Sequence, residues 1–332
     1  MTRAIGVLGL AAIGLATAAP AQQAPYQVPQ HNGGSPLFTN SPVENSMRAD
    51  AGAQLEQSRP VRWSLEEHRK LDRALAGLAA QRKGVVDAYV VSIALDSDPV
   101  FGREAREAGK VLARRYAAEG RTIVLAGTDG SGPSSYPQGS PDTLAAALTR
   151  ISELMDPDED VLILYSTSHG APVGVVYADG DEGFGMISPY RLSSMLEDLN
   201  IRNRLLIVSA CFSGVFTTLL SSDTTAILTA ASSERTSFGC VSDNDWTFFG
   251  DAMINHALRK PQPLAAAAAE ASHLIGAWEA KGHLIPSDPQ IRIGSGVSKW
   301  LGPLEAHTPK TETAQVGRPA LLSLDVATEN NH

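Results

Sequence analysis

Only two cysteines, Cys211 and Cys240, occur in the 332 residues. That is too few for a disulfide scaffold, and they lack the paired Cys-x-x-Cys spacing of a zinc site. Aromatic residues make up 6% and charged residues 19%, against 43% hydrophobic, which sets the chain apart from coiled-coil, collagenous and disordered classes and among globular proteins. Positive charge is the scarcer sign: 27 Lys plus Arg stand against 36 Asp plus Glu, a formal net charge of -9. The overall field therefore repels phosphate backbones and anionic membranes, and a nucleic-acid partner is not expected. Gly-x-Ser-x-Gly, His-Glu-x-x-His and Gly-Lys-Ser/Thr are all missing, which argues against a serine-hydrolase elbow, a zinc-peptidase helix and a phosphate loop.

One long apolar run is present, at the N-terminus. Arg3 gives a short basic start, an apolar stretch follows to about Ala16, and small residues close with Ala19-Pro20-Ala21. This is the pattern of a secretory signal peptide over residues 1–21, cut after Ala21. A spanning helix needs about 20 apolar residues, so no stable membrane insertion is expected after cleavage, and the mature chain is expected in the periplasm or secreted. Residues 22–60 are rich in Pro, Gln, Asn, Ser and Gly and are expected to form a flexible leader. Ser64 and Glu67 have capping-box spacing ahead of a helix through Leu71, Leu75 and Leu78. Residues 304–332 turn polar and are expected to form a flexible tail.

Between leader and tail, apolar runs alternate with helical patterns, as in a parallel sheet with crossover helices. The strands are expected at 85–95, 122–126, 161–166, 205–210 and 226–230. Helices are expected at 102–118, 141–155, 189–199, 246–258 and 263–281. This is an α/β domain over residues 61–303. Loops are expected at 127–133, on the rim, at the acidic stretch 156–160, exposed at the entry to the third strand, and at 179–183, a solvated turn that lacks the complete ligand alternation and terminal Glu of an EF-hand.

The chemistry concentrates at two strand ends. The third strand runs into Ser168-His169-Gly170 and the fourth into Ser209-Ala210-Cys211. In an open parallel sheet, residues just past the carboxyl ends of strands share a crevice, so the imidazole and the thiol can meet. Such a pair suits nucleophilic catalysis, with the imidazole taking the thiol proton. The backbone N–H groups of Gly170 and Cys211 are candidates for an oxyanion hole.

His169-Gly170 ahead of Ala210-Cys211 resembles the layout of caspase-like cysteine peptidases. The downstream runs Thr229-Ala230-Ala231-Ser232-Ser233-Glu234 and Trp246-Thr247-Phe248-Phe249-Gly250-Asp251 resemble the legumain family, which includes the catalytic subunit of glycosylphosphatidylinositol transamidase. The resemblance implies a caspase-haemoglobinase-like three-layer sandwich, mostly parallel, with Cys211 as nucleophile and His169 as proton-transfer partner. It implies peptide or protein substrates and no metal or other cofactor. Ser209 stands where legumains carry an acid that shapes the P1 pocket, while Ser237 and Asp251 match the serine and aspartate of that pocket. The basic residues expected after the first strand are missing from Asp96-Ser97-Asp98-Pro99-Val100-Phe101. A pocket with Asp251 as its one carboxylate ranks Asn and basic P1 residues together, above Asp. Cys240 is read as a free buried thiol. Hydrolysis, transpeptidation through the same acyl-enzyme and a catalytically silent binding domain all remain open, as does the oligomeric state.

Overall fold

The computed structural model describes Met1, residues 26–127 and residues 129–324. Apart from Met1, the expected signal peptide lies outside these residues, as does the end of the expected tail. In chain order the described elements are α1 (Pro42–Asp50), β1 (Gln54–Glu56), α2 (Trp63–Ala76), β2 (Ala88–Ala94), α3 (Pro99–Arg115), β3 (Thr122–Leu125), α4 (Pro141–Leu154), β4 (Val161–Thr167), β5 (Gly170–Ala171), β6 (Gly174–Asp179) and β7 (Gly183–Ile187). There follow α5 (Pro189–Asp198), β8 (Arg204–Ser209), α6 (Val215–Leu220), β9 (Thr225–Thr229), α7 (Phe248–Gly250), α8 (Leu264–Lys281), β10 (Gln290–Ile293) and α9 (Ser298–Ala306).

Six strands form the main sheet in the order β10-β9-β8-β4-β2-β3, parallel except for β10, which pairs antiparallel with β9. Every residue of β2, β4 and β8 is buried. Both faces are covered, the condition that allows a parallel sheet to be continuously apolar. Val90, Ile163, Tyr165, Leu205 and Ile207 pack on one side with α3, α8 and α9. Alternate residues Val91, Leu162, Leu164, Leu206 and Val208 pack on the other with α4 and α5. The result is the expected three-layer α/β sandwich, and the five expected strands lie within a few residues of their observed bounds. Among the described residues no helix is long and apolar enough to cross a membrane.

Two helix expectations differ from what is observed. Ser64 does not cap α2, whose N-cap is Arg62 with no side-chain hydrogen bond. Glu67 instead accepts from Lys70 and from Gln138 N. A capping box does form at α4, where Ser140 Oγ accepts from Thr143 N and Thr143 Oγ1 accepts from Ser140 N. The single helix expected over 246–258 breaks into the short α7, a π-helical stretch Asp251–His256 and a 3-10 turn Ala257–Arg259.

The leader is built into the structure from residue 26 onward. It carries α1, and β1 joins β7, β6 and β5 in a second, small antiparallel sheet. Its anchor is polar, which is why composition hid it. Arg59 ion-pairs with Asp179, donates to Glu182 at 2.8 Å and to Glu56 at 2.7 Å, and lies 4.1 Å over the Trp63 ring. Asp181, in the turn read as solvated, accepts from Asn32 N at 2.9 Å and Gly33 N at 3.2 Å. Asp160, read as part of an exposed loop, is buried and accepts from Asp87 N at 2.8 Å.

The expected loose tail is likewise docked as far as it is described. Asn255 Oδ1 accepts from Val316 N at 2.9 Å, and Ala320 is 1% exposed. Arg59→Ala leaves the nearly buried Asp179 without its cation and is expected to destabilise the protein by about 3 kcal/mol. Urea denaturation measures this, and a change below about 0.5 kcal/mol would mean that the leader anchor is idle.

Candidate active site

Strands β4 and β8 pair in parallel with Thr167 opposite Ser209. His169 and Cys211 each follow two residues beyond that pair, so equal steps past one rung carry the imidazole and the thiol to the same edge of the sheet. Ser168 N donates to Ser209 O at 3.2 Å and continues the pairing beyond the strands. Gly170 then comes against the main chain of Cys211: a Cβ placed on it would lie 2.0 Å from Cys211 O and 3.0 Å from Cys211 N. Only a residue without a side chain permits that approach.

Cys211 is partly buried and free. Its Sγ accepts from Ser237 N at 3.3 Å, with Ser237 Oγ 3.7 Å away. The structure therefore brings Ser237 to the thiol. Cys211 N donates no hydrogen bond among the described residues, and the next residue, Phe212, has φ 57, a left-handed conformation that non-glycine residues rarely adopt. Phe212 N donates to Arg235 O at 2.8 Å, which holds the turn. Strain of this kind is common where a reactive side chain must be presented.

His169 rests edge-on against Phe101, ring centroids 5.1 Å apart, and its Nε2 lies 3.6 Å from Asp98 Oδ2. The Asp98 carboxylate holds the His169 pKa above its ordinary value, against the opposing effect of burial. Asp98 itself is held below the usual carboxylate range by His169, with help from Ser242 Oγ, which donates at 3.0 Å, and from His31. Reading the sequence for basic residues passed over Asp98. The signal lay in its position four residues beyond β2, the strand next to β4 in the sheet.

A second imidazole joins from the leader. His31 Nε2 lies 3.2 Å from Asp96 Oδ1, 3.8 Å from Asp98 Oδ1 and 3.3 Å from Ser97 Oγ. The bond to Asp96, with the charges of Asp96 and Asp98, pushes the His31 pKa up to about 9.

Ser209 is paired with Thr247. It is 2% exposed, and its Oγ lies 3.1 Å from Thr247 Oγ1. Next to that pair is Glu104, 0% exposed, which accepts from Thr167 Oγ1 and Thr247 N, both at 2.8 Å, and from Tyr165 OH. Gly250 makes room for this acid, since a Cβ there would lie 2.1 Å from Glu104 Oε2. Glu104 was also missed, although an acid within the apolar stripe of Phe101, Ala105, Ala108 and Leu112 requires buried partners.

Asp251 is a correction. It is 0% exposed, Oδ1 accepts from Asn255 Nδ2 at 2.8 Å and Oδ2 accepts from Ala320 N at 2.7 Å. The carboxylate holds the C-terminal segment and is not grouped with Cys211 and Ser237, so the P1 ranking built on it loses its basis. Cys240 is a free thiol whose pKa burial raises strongly.

Comparison with known proteins bears on the family. Residues 142–271 match the Peptidase C13 family. That stretch contains both His169 and Cys211, and the match upholds the resemblance to the legumain family drawn from the sequence. Asp98, Glu104 and His31 lie before it. Among solved structures, caspase-1 from Spodoptera frugiperda is similar at 13% identity and a TM-score of 0.42, over 65% of this chain and 92% of that one. No curated protein matches the sequence.

Iodoacetamide at neutral pH is expected to label Cys211 well ahead of Cys240, whose raised pKa leaves it almost no thiolate. Gly170→Ala should slow that labelling, because the added Cβ meets main chain that cannot swing aside. Mass spectrometry of the labelled peptides reads both, and equal rates in wild type and variant would show that the close approach does not set the position of the thiol.

Proposed function

We propose that the protein is an exported cysteine endopeptidase acting through Cys211 and His169. The observation that carries this reading is the placement of the two residues at equal steps beyond the Thr167–Ser209 rung, inside the stretch that matches the Peptidase C13 family. The family match supports a cysteine-peptidase-type function; the steps below are our own reading of the geometry.

His169 takes the thiol proton, and Cys211 Sγ attacks the scissile carbonyl carbon to form a tetrahedral intermediate. The N–H groups of Cys211 and Gly170 are the candidates to face its oxyanion. Collapse breaks the C–N bond as His169 gives its proton to the leaving amine, which leaves a thioester on Cys211. Water, deprotonated by His169, attacks the thioester and releases the acid. Asp98 acts through His169 as a positioning residue: it favours the imidazolium that forms each time His169 takes up a proton and holds the ring over Phe101. Substrates are peptides or proteins; its contact with Cys211 Sγ supports reading Ser237 as a neighbour of the P1 residue, and Ser209 as a support behind it through Thr247.

Cys211→Ala is expected to abolish peptide hydrolysis without changing the circular dichroism spectrum, because a small, partly buried group is removed. Full activity in this variant on a peptide library would overturn the mechanism. Asp98→Asn is expected to lower kcat by about 10- to 100-fold with a much smaller change in KM. Loss of the carboxylate also lets the His169 pKa fall, so the limb of the pH profile that reports His169 should move to lower pH. A kcat and pH profile equal to wild type would remove Asp98 from the mechanism.

A further inference from the structure

We propose that His31, Asp96 and Asp98 form a binding site for a divalent transition-metal ion, with Zn2+ the best fit, which ties the leader to the edge of the catalytic centre. The observation is the convergence of donors. One ring nitrogen, His31 Nε2, faces three oxygens at once: Asp96 Oδ1 at 3.2 Å, Ser97 Oγ at 3.3 Å and Asp98 Oδ1 at 3.8 Å. A ring N–H carries a single hydrogen and can satisfy one of these well. A cation placed between them can serve the nitrogen and both carboxylates together.

The spacing suits that role. An ion about 2.0 Å from each donor, the Zn–N and Zn–O distance, would see the 3.2 Å pair under an angle of about 106°, close to tetrahedral. The 3.8 Å pair is wider, at about 140° on the same distances. Asp98 lies at the entry to α3 and His31 on a partly exposed segment, so either can close that gap. All three donor atoms lie within 4.8 Å of one another.

Charge favours the ion as well. Asp96 is almost fully buried, with 2% of its side chain exposed, and it stands two residues from Asp98; two carboxylates so placed favour a nearby positive charge, which the His31 imidazolium carries until an ion displaces its Nε2 proton. A neutral imidazole with two carboxylates balances a divalent charge, and binding releases the Nε2 proton to solvent. The donor set of one nitrogen and two carboxylate oxygens matches zinc chemistry, with water for the fourth position.

The site has a built support. Gly180 N donates to Ser97 Oγ at 2.9 Å, and Asp98 N donates to Asp96 Oδ1 at 2.8 Å. On the other side of His31, Asn32 and Gly33 are tied to Asp181. Metal binding would draw Asp98 toward His31 while Asp98 Oδ2 faces His169, so the ion and the catalytic imidazole share one carboxylate.

The test reads binding and not cleavage, so it stands or falls apart from the peptidase reading. Full-length Cys211→Ala protein, which lacks the competing catalytic thiolate, is titrated with ZnCl2 by calorimetry. The expected result is one saturable site whose affinity falls at least tenfold in Cys211→Ala with His31→Ala and again in Cys211→Ala with Asp96→Asn. Co2+ added to the same protein should give the visible absorption of a four-coordinate ion, lost in the His31→Ala background. His31 is partly exposed and its exchange leaves the core intact, so that arm does not depend on the folding of the Asp96 variant. Absence of a saturable site, or equal affinity with and without His31, overturns the proposal; the second result would place the ion on His169 or elsewhere.

Discussion

The parallel pairing of β4 with β8 is the constraint on which the site depends. A one-residue slip of either strand would send its buried residues to the opposite face and separate His169 from Cys211. The register is held by burial: Ile163 and Tyr165 face one core, Leu162 and Leu164 the other, and the same alternation in β8 leaves only one pairing that buries every apolar side chain. The geometry of the candidate site is thus a by-product of sheet stability. The tight passage of Gly170 over the Cys211 main chain finishes it, converting an alignment of strands into a contact between the two segments that carry the reacting groups.

Behind that edge the structure invests in buried polar groups. Glu104 reaches from α3 across the sheet and is satisfied by Thr167 on β4, by Tyr165 on the same strand and by the main chain at Thr247. It therefore ties α3, whose N-cap is Asp98, to β4, which His169 follows by two residues. Since an unpartnered buried carboxylate is strongly unfavourable, each member of this set constrains the others, and Asp98, Phe101 and His169 keep their relation as a consequence. Ser209, through Thr247, belongs to the same set.

The two chain ends close on the domain in a similar manner. The leader uses Arg59 and the tail uses main-chain N–H groups, each finding buried or nearly buried polar partners on the domain. Such contacts need few apolar residues, which is why a Pro-, Gln- and Asn-rich segment can still be placed. Through His31 the leader also reaches the carboxylates that serve the catalytic imidazole, so the expected boundary near residue 60 does not separate leader from site.

Sequence pattern alone sufficed for the buried strands, the helices between them and the presence of His169 and Cys211 at strand ends, because these follow from local periodicity and from the rule that parallel strands expose their carboxyl edges. The small sheet of β1, β5, β6 and β7 was not legible: its strands are two to six residues long and carry glycines, too little for a period to show. Asp98, Glu104 and His31 were visible as residues but not as partners, and Asp251 was assigned to a pocket it does not face. A motif states which residue is present; the other half of its hydrogen bond comes from a segment distant in the chain, Ala320 for Asp251 and Thr247 for Glu104. Only the packed tertiary structure decides those partners, since a buried polar group takes the donor that folding brings within about 3 Å, whatever its distance along the chain.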